Sequence, residues 1–384
     1  MTTNHIAGPT VATRFSRRTM LALMASATGG AALLAACGDD SAKSPGATGT
    51  GSAARPSLEN EKGDLRVFDF AGADTVDLWS PYSKEFPDKA PKWTFTSGDV
   101  DVIAKVRSGD VPDMGVVFGI RQSLYDLGVL QPWDPALIPS FPDLFPELTE
   151  AGKINGEQIM IPTQWGTESA IFDPSVVDKP DSYAVLFDDA YKGKISWFDN
   201  PLVIPTIAAL VNGIKDPFNM TDAELTDTKK FLVDKMKNVR FLWSSETDLT
   251  SAFLTGDVVV AHAWPSAWAA LINDGSKEVG YLAPKEGAYA WLGGHALFAD
   301  TKNYYHAHKF VDALVSKPAQ TWQLNNYASG PSNAKLDQTQ LNETFVTAFN
   351  LNDPSSMASL RPQPAIPSST YQRYGEMWSA VKAS

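Results

Sequence analysis

The sequence predicts an α/β protein of two packed domains behind an export leader. Three observations carry that prediction. Short apolar runs alternate with amphipathic stretches from residue 65 onward, the pattern of sheet and helix layers. Taking a 36-residue leader from the 384 residues leaves 348, a two-domain length at about 150 residues each. Hydrophobic content of 43% is enough to fill two cores, and beyond the leader no apolar run is long enough to cross a bilayer.

The leader comes first. Arg14, Arg17 and Arg18, with no acidic residue among them, precede an apolar, small-residue run over residues 20–34 that ends in Leu34-Ala35-Ala36-Cys37. Charged region, apolar region and small-residue cleavage site is the order of an export signal. The run is about fifteen residues and contains glycines, short of the roughly twenty that span a membrane. Ser16-Arg17-Arg18-Thr19-Met20-Leu21 looks like a twin-arginine export motif, and Leu34-Ala35-Ala36-Cys37 resembles the lipobox of bacterial lipoproteins. Cys37 is the only cysteine, so it has no intramolecular disulfide partner and no zinc set. It is expected to carry lipid and to anchor the protein to the outer face of the cytoplasmic membrane or in the periplasm. Residues 37–63 follow as a flexible linker; residues 41–55 are Ser, Ala, Gly, Thr, Pro and two basic residues.

Loss of the leader's three arginines takes the formal charge from -12 to -15. That balance argues against nucleic acid, which needs a cationic face, and permits a cationic ligand. The chain holds 11 Trp, 11 Tyr and 19 Phe, residues suited to enclosing flat or cationic groups.

The elements follow in order. "LRVFDF" (residues 65–70) reads as the first strand, and "DVDVIAKVRSG" as a helix stopped near Gly109. "DMGVVFG" is a buried strand, and "RQSLYDLGVLQPWD" a helix ended by Gly128 and Pro132. "TDAELTDTKKFLVDKMKN" has Thr221 and Glu224 at capping-box spacing, which marks its start. "VRFLW" is a strand. "DLTSAFLTGDVVVAHAW" is a short helix, a Gly256 turn and an apolar strand ending at Trp264. "NYYHAHKFVDALVS" and "YQRYGEMWSAVKA" are amphipathic helices, and no internal repeat is visible.

The order of segments, among them "VPDMGVVFGIRQSLYDLGVLQPWD", "IPTQWGTESAIFD", "YKGKISWFDNP", "LTGDVVVAHAW", "PKEGAYAWLGG" and "SGPSNAKL", resembles the spermidine/putrescine-type periplasmic binding proteins, the receptors of ABC importers. The resemblance implies a type II periplasmic-binding-protein fold: two α/β lobes joined by strands that cross over twice, closing on ligand by a hinge. By that analogy residues 64–164 and 292–341 form lobe one, and residues 165–291 and 342–384 form lobe two. It further implies a monomer that holds a small cationic or amine-containing organic solute, polyamine-like, and presents it to ABC permease subunits, with no cofactor and no chemistry on the protein.

Phe70, Trp264 and Trp291 fall where the family has tryptophans, and Ser329 falls where a tyrosine lines the pocket, with Tyr327 close by. The family's acids are mostly replaced: Gly293 stands for an aspartate, and Asn200 and Val203 stand where acidic residues are expected. A buried ammonium without a counter-charge costs several kcal/mol, and a cation–π contact returns only about 0.5 to 2 kcal/mol. Asp74, Glu168 and Asp199 are therefore the candidate replacements. Gly293 and Gly294 are expected to leave room beside Trp291 for a bulkier group. Other ligands stay open: a quaternary ammonium compound, an amino-acid- or opine-like molecule, a thiamine-like heterocycle or ferric iron. A non-transport lipoprotein with a degenerate cleft also stays open. Trp165 sits at the crossover, suited to packing or hinge support, and Tyr304-Tyr305 reads as helix packing. His262, His295, His306 and His308 show no ligand spacing with a carboxylate and read as structural. No G-x-S-x-G, phosphate loop or H-E-x-x-H is present, so no enzyme is expected.

Overall fold

The computed structural model describes residues 57–384; the export signal, Cys37 and most of the linker lie outside the described residues. The principal strands are β1 (Arg66–Asp69), β2 (Lys92–Phe95), β3 (Met114–Val117), β4 (Met160–Phe172), β5 (Ile195–Phe198), β6 (Val239–Trp243), β7 (Val260–Ala263) and β8 (Tyr289–Phe298). They lie in the order β2-β1-β3-β8-β4-β7-β5-β6. Two parallel sets, β2-β1-β3 and β7-β5-β6, flank a central antiparallel pair of long strands, β4 and β8. Those two strands belong to both halves of the sheet and are the crossover between them.

The helices α1 (Asp99–Arg107), α2 (Val203–Val211), α3 (Asp222–Met236), α4 (Glu246–Leu254), α5 (Pro265–Asp274), α6 (Tyr304–Leu314), α7 (Lys317–Tyr327) and α8 (Ser368–Lys382) cover the sheet. The capping box of α3 is complete: the Thr221 side chain accepts from the Glu224 N–H and the Glu224 side chain accepts from the Thr221 N–H. Each half has its own core. Val67, Met114 and Phe310 belong to one. Trp197, Ile207 and Trp378 belong to the other, so the C-terminal α8 packs with the second half. A third cluster around Trp165, Leu292 and Trp243 backs the crossover.

Sequence and structure part in two places. β4 runs for thirteen residues through Gln164, Thr167 and Glu168; these polar residues break the apolar run that would have marked a strand. Helix α2, "VIPTIAALV", is buried on nearly every side, so it has no polar face and no helical periodicity to read. The β4–β8 register slips between Gly293 and Gly294. A Cβ at Gly293 would stand 2.6 Å from the Phe118 ring, and one at Gly294 would strike the Ile161 carbonyl oxygen. The space expected beside Trp291 is thus filled by Phe118 and Gln164, which corrects the reading of these glycines as ligand room.

Candidate ligand-binding site

A cavity of about 660 Å³ opens between the two halves. Its wall is built at strand ends. Phe70, Phe118, Phe198 and Trp264 are the residues at or just after the carboxyl ends of β1, β3, β5 and β7, and all four line it. This is where ligands sit in open α/β sheets. The crossover supplies the floor. Gln164 and Glu168 of β4 reach the cavity, as does Trp291 of β8. Gly166 sits opposite Trp291 in register, and a Cβ there would lie 2.6 Å from the indole, so the missing side chain is what lets Trp291 lie across β4.

Glu168 is the best-held acid. Only 3% of it is exposed. Its Oε2 accepts from His262 Nε2 at 2.8 Å and from Trp264 Nε1 at 2.7 Å, while Oε1 has no donor among the described residues. His262 stacks beside Trp243 and Phe198, and Phe198 meets Trp264 edge-on, so the acid's two supports are themselves fixed by packing. A carboxylate held by one oxygen presents the other to a ligand donor.

Asp99, the first residue of α1, is a second acid on the wall, half-buried. Its carboxylate accepts the Phe118 and Ile120 N–H groups at 3.2 and 3.3 Å. Burial raises its pKa to about 6, against the pull of those bonds and of the buried Arg121 guanidinium. Arg121 itself donates to the Phe118, Ala151 and Gln363 carbonyls. Burial pushes the nearby Tyr371 hydroxyl above its ordinary value, and the Asp99 charge adds to the effect.

Of the residues singled out in the sequence, Phe70, Glu168, Trp264, Trp291, Tyr327 and Ser329 line the cavity. Ala328, between the last two, takes a left-handed backbone (φ 48°), a conformation that costs a non-glycine residue about 1–2 kcal/mol. Asp199 and Asp74 do not line it. Asp199 accepts from Trp378 Nε1 at 2.8 Å and pairs with Lys382 at 2.9 Å, tying α8 to the second half. Asp74 is exposed in the turn after β1. Asn200 lines the cavity and accepts the Leu202 and Val203 N–H groups, so an amide serves the α2 start where an acid was expected. Trp165 points away from this cavity, donating to the Pro331 carbonyl and meeting Phe349 edge-on. His262 and His295 each contact a carboxylate far away in sequence, Glu168 and Asp69, which sequence spacing did not reveal. Sequence reasoning missed Asp99, Phe118, Phe198 and Tyr371. Of these, only Phe118 and Phe198 would have been singled out by the strand-end rule.

A family profile described as bacterial extracellular solute-binding protein matches residues 70–348. The chain belongs to that family. Putrescine-binding periplasmic protein PotF of Escherichia coli is 26% identical to this solute-binding protein over 287 residues, 67% of this chain and 75% of that one. The crystal structure of the spermidine/putrescine ABC transporter substrate-binding protein PotD from Streptococcus pneumoniae, in complex with calcium and HEPES, superposes with a TM-score of 0.71 at 16% identity, over 83% of this chain and 98% of that chain. MotA from A. tumefaciens B6, in complex with glucopine, gives 0.62 at 18% identity, over 83% of this chain and 100% of that one. The two-lobed binding-protein fold expected from the sequence is the one found, relatives of the expected spermidine/putrescine type are among the matches, and the family is one of solute-binding proteins rather than enzymes.

Proposed function

We propose that this protein captures a small, amine-bearing, polyamine-like cation outside the cytoplasm and delivers it to the permease of an ABC importer. The observation that carries the reading is the charge of the cavity. Asp99 and Glu168 are its carboxylates, and no lysine, arginine or histidine is among its lining residues. An ammonium meets compensating charge there, whereas a carboxylate-bearing solute meets two anions and no cation. Aromatic walls suit the methylenes and the cationic heads together. PotF is a putrescine-binding relative, whereas the glucopine complex of MotA belongs to a protein of the same fold, so the wall residues rather than the fold carry the choice of ligand.

The lobes fit residues 64–164 with 292–341 and residues 165–291 with 342–384. The pairing of Trp165 with Leu292 and the packing of Trp378 in the second core support those boundaries. The leader's motifs support export by the twin-arginine route and a lipid anchor on Cys37. In this reading the receptor works as a monomer and holds no cofactor. Thermal unfolding with putrescine, spermidine, choline, betaine and glucopine tests it. An amine at about 100 times its dissociation constant should add about 2.7 kcal/mol of stability. Stabilisation by the anionic or zwitterionic solutes with silence from the polyamines would overturn it.

A further inference from the structure

Side chains alternate across a strand, so on β4 Trp165, Thr167 and Ser169 face away from Gln164 and Glu168, which belong to the main cavity. On that opposite face they line a separate cavity of about 430 Å³. Trp268 of α5, residues 279–284 and residues 347–350 complete its wall, and no residue lines both cavities. Its chemistry is uncharged: no aspartate, glutamate, lysine, arginine or histidine is among its lining residues. The polar side chains deepest in it are already bonded within the protein. The Thr167 and Tyr281 hydroxyls lie 2.9 Å apart, Ser169 donates to the Leu282 carbonyl at 2.7 Å, and Trp268 donates to the Val279 carbonyl at 3.2 Å. The rings of Trp165, Trp268, Tyr281 and Phe349, with Met357 and Leu360, supply an apolar wall.

We propose that this cavity is a second ligand site, for an uncharged multi-ring aromatic molecule, on the back of the crossover and separate from the solute cleft. Its volume falls within the range of about 300–1,000 Å³ typical of small-molecule sites. Water there finds few free partners, and displacing loosely held water with an apolar group gains affinity. Ring edges and faces on several sides favour an aromatic occupant. A charged one would give up its hydration and meet no counter-charge. Ala283, Thr347 and Asn350 line the cavity and are exposed, so a ligand reaches it from solvent and not through the cleft. Because the two walls share no residue, both sites can be filled at once, and the inference does not rest on the amine reading.

Fluorescence titration with N-phenyl-1-naphthylamine, a neutral fluorophore that brightens in apolar surroundings, tests the site. The wild type should bind it saturably, and 8-anilinonaphthalene-1-sulfonate, the same rings with a charge added, should bind at least about tenfold more weakly. Ala283→Phe and Thr347→Phe, which place a ring in the cavity from opposite walls, should each weaken the neutral probe by about tenfold or more. Trp264→Ala, in the solute cleft, should leave its affinity unchanged, as should excess putrescine. No saturable signal in the wild type would overturn the site and leave the receptor reading standing. So would equal affinity for the sulfonate, displacement by putrescine, or weakening in Trp264→Ala with both phenylalanine variants unaffected. Ala283 and Thr347 are exposed, so larger side chains there spare the fold, and either variant decides the question if the other fails to fold.

Discussion

Glu168→Gln isolates ligand contact from structural support. In the wild type Oε2 takes both protein donors, from His262 and Trp264, and Oε1 takes none. A glutamine that places its carbonyl oxygen at the Oε2 position keeps both bonds and turns its NH₂ group toward the cavity. The substitution therefore exchanges a charged acceptor for a donor at the atom that meets the ligand. Loss of a hydrogen bond to a charged group is worth about 1.5–3 kcal/mol, a fall in affinity of roughly ten- to a hundred-fold, and donor facing donor adds to it. Thermal stability should change little, since no protein donor loses its partner. Glu168→Ala differs: it leaves the His262 and Trp264 N–H groups buried without an acceptor, at about 1–3 kcal/mol each. Calorimetric titration with whichever amine stabilises the wild type, beside melting curves of both variants, measures the two effects separately. An unchanged dissociation constant in Glu168→Gln would refute the anchor, and a large loss of stability in the same variant would refute the hydrogen-bond assignment.

Gly166→Ala should push Trp291 off β4, since its Cβ would stand 2.6 Å from the indole; about 1–3 kcal/mol of stability and most ligand affinity should go with it. Indole fluorescence and a melting curve report this. Asp99, with its pKa raised to about 6, loses its charge as pH falls through that value. Amine binding should therefore weaken from pH 7 to pH 5, and Asp99→Asn should flatten that part of the pH profile. The linked stability runs the other way. The folded state binds the Asp99 proton more tightly than the unfolded chain, a contribution fully present below pH 3.8 and lost as pH rises through about 6. Asp199→Ala should leave amine affinity unchanged, yet cost about 1–3 kcal/mol of stability by stranding the Trp378 N–H; a matching loss of affinity would return Asp199 to the ligand site.

Much of the fold was legible because its signals are local. The Thr221–Glu224 capping box, the "VRFLW" strand and the Gly109, Gly128 and Gly256 stops each depend on residues a few positions apart. What escaped was context. Helix α2 lacks a polar face because it is buried nearly all round, and β4 carries polar residues because one of its faces forms the cavity floor. The site divides in the same way. Trp264 and Trp291 were found through segment order, and Glu168 through the need for a counter-charge. Asp199 misled because sequence gives the presence of a carboxylate but not its partner, and α8 brings Trp378 and Lys382 to it from 179 and 183 residues away. His262 was invisible for the same reason, being 94 residues from Glu168.

The placement of four cavity aromatics at strand ends separates two demands that usually compete. Phe70, Phe118, Phe198 and Trp264 stand at the rim of the sheet, and the pairing that holds the strands together lies behind them. Exchanging one of these side chains alters what the cleft admits and leaves the ladder beneath it largely untouched. A receptor built this way can acquire a new cargo by single steps, none of which has to pass through an unfolded intermediate sequence.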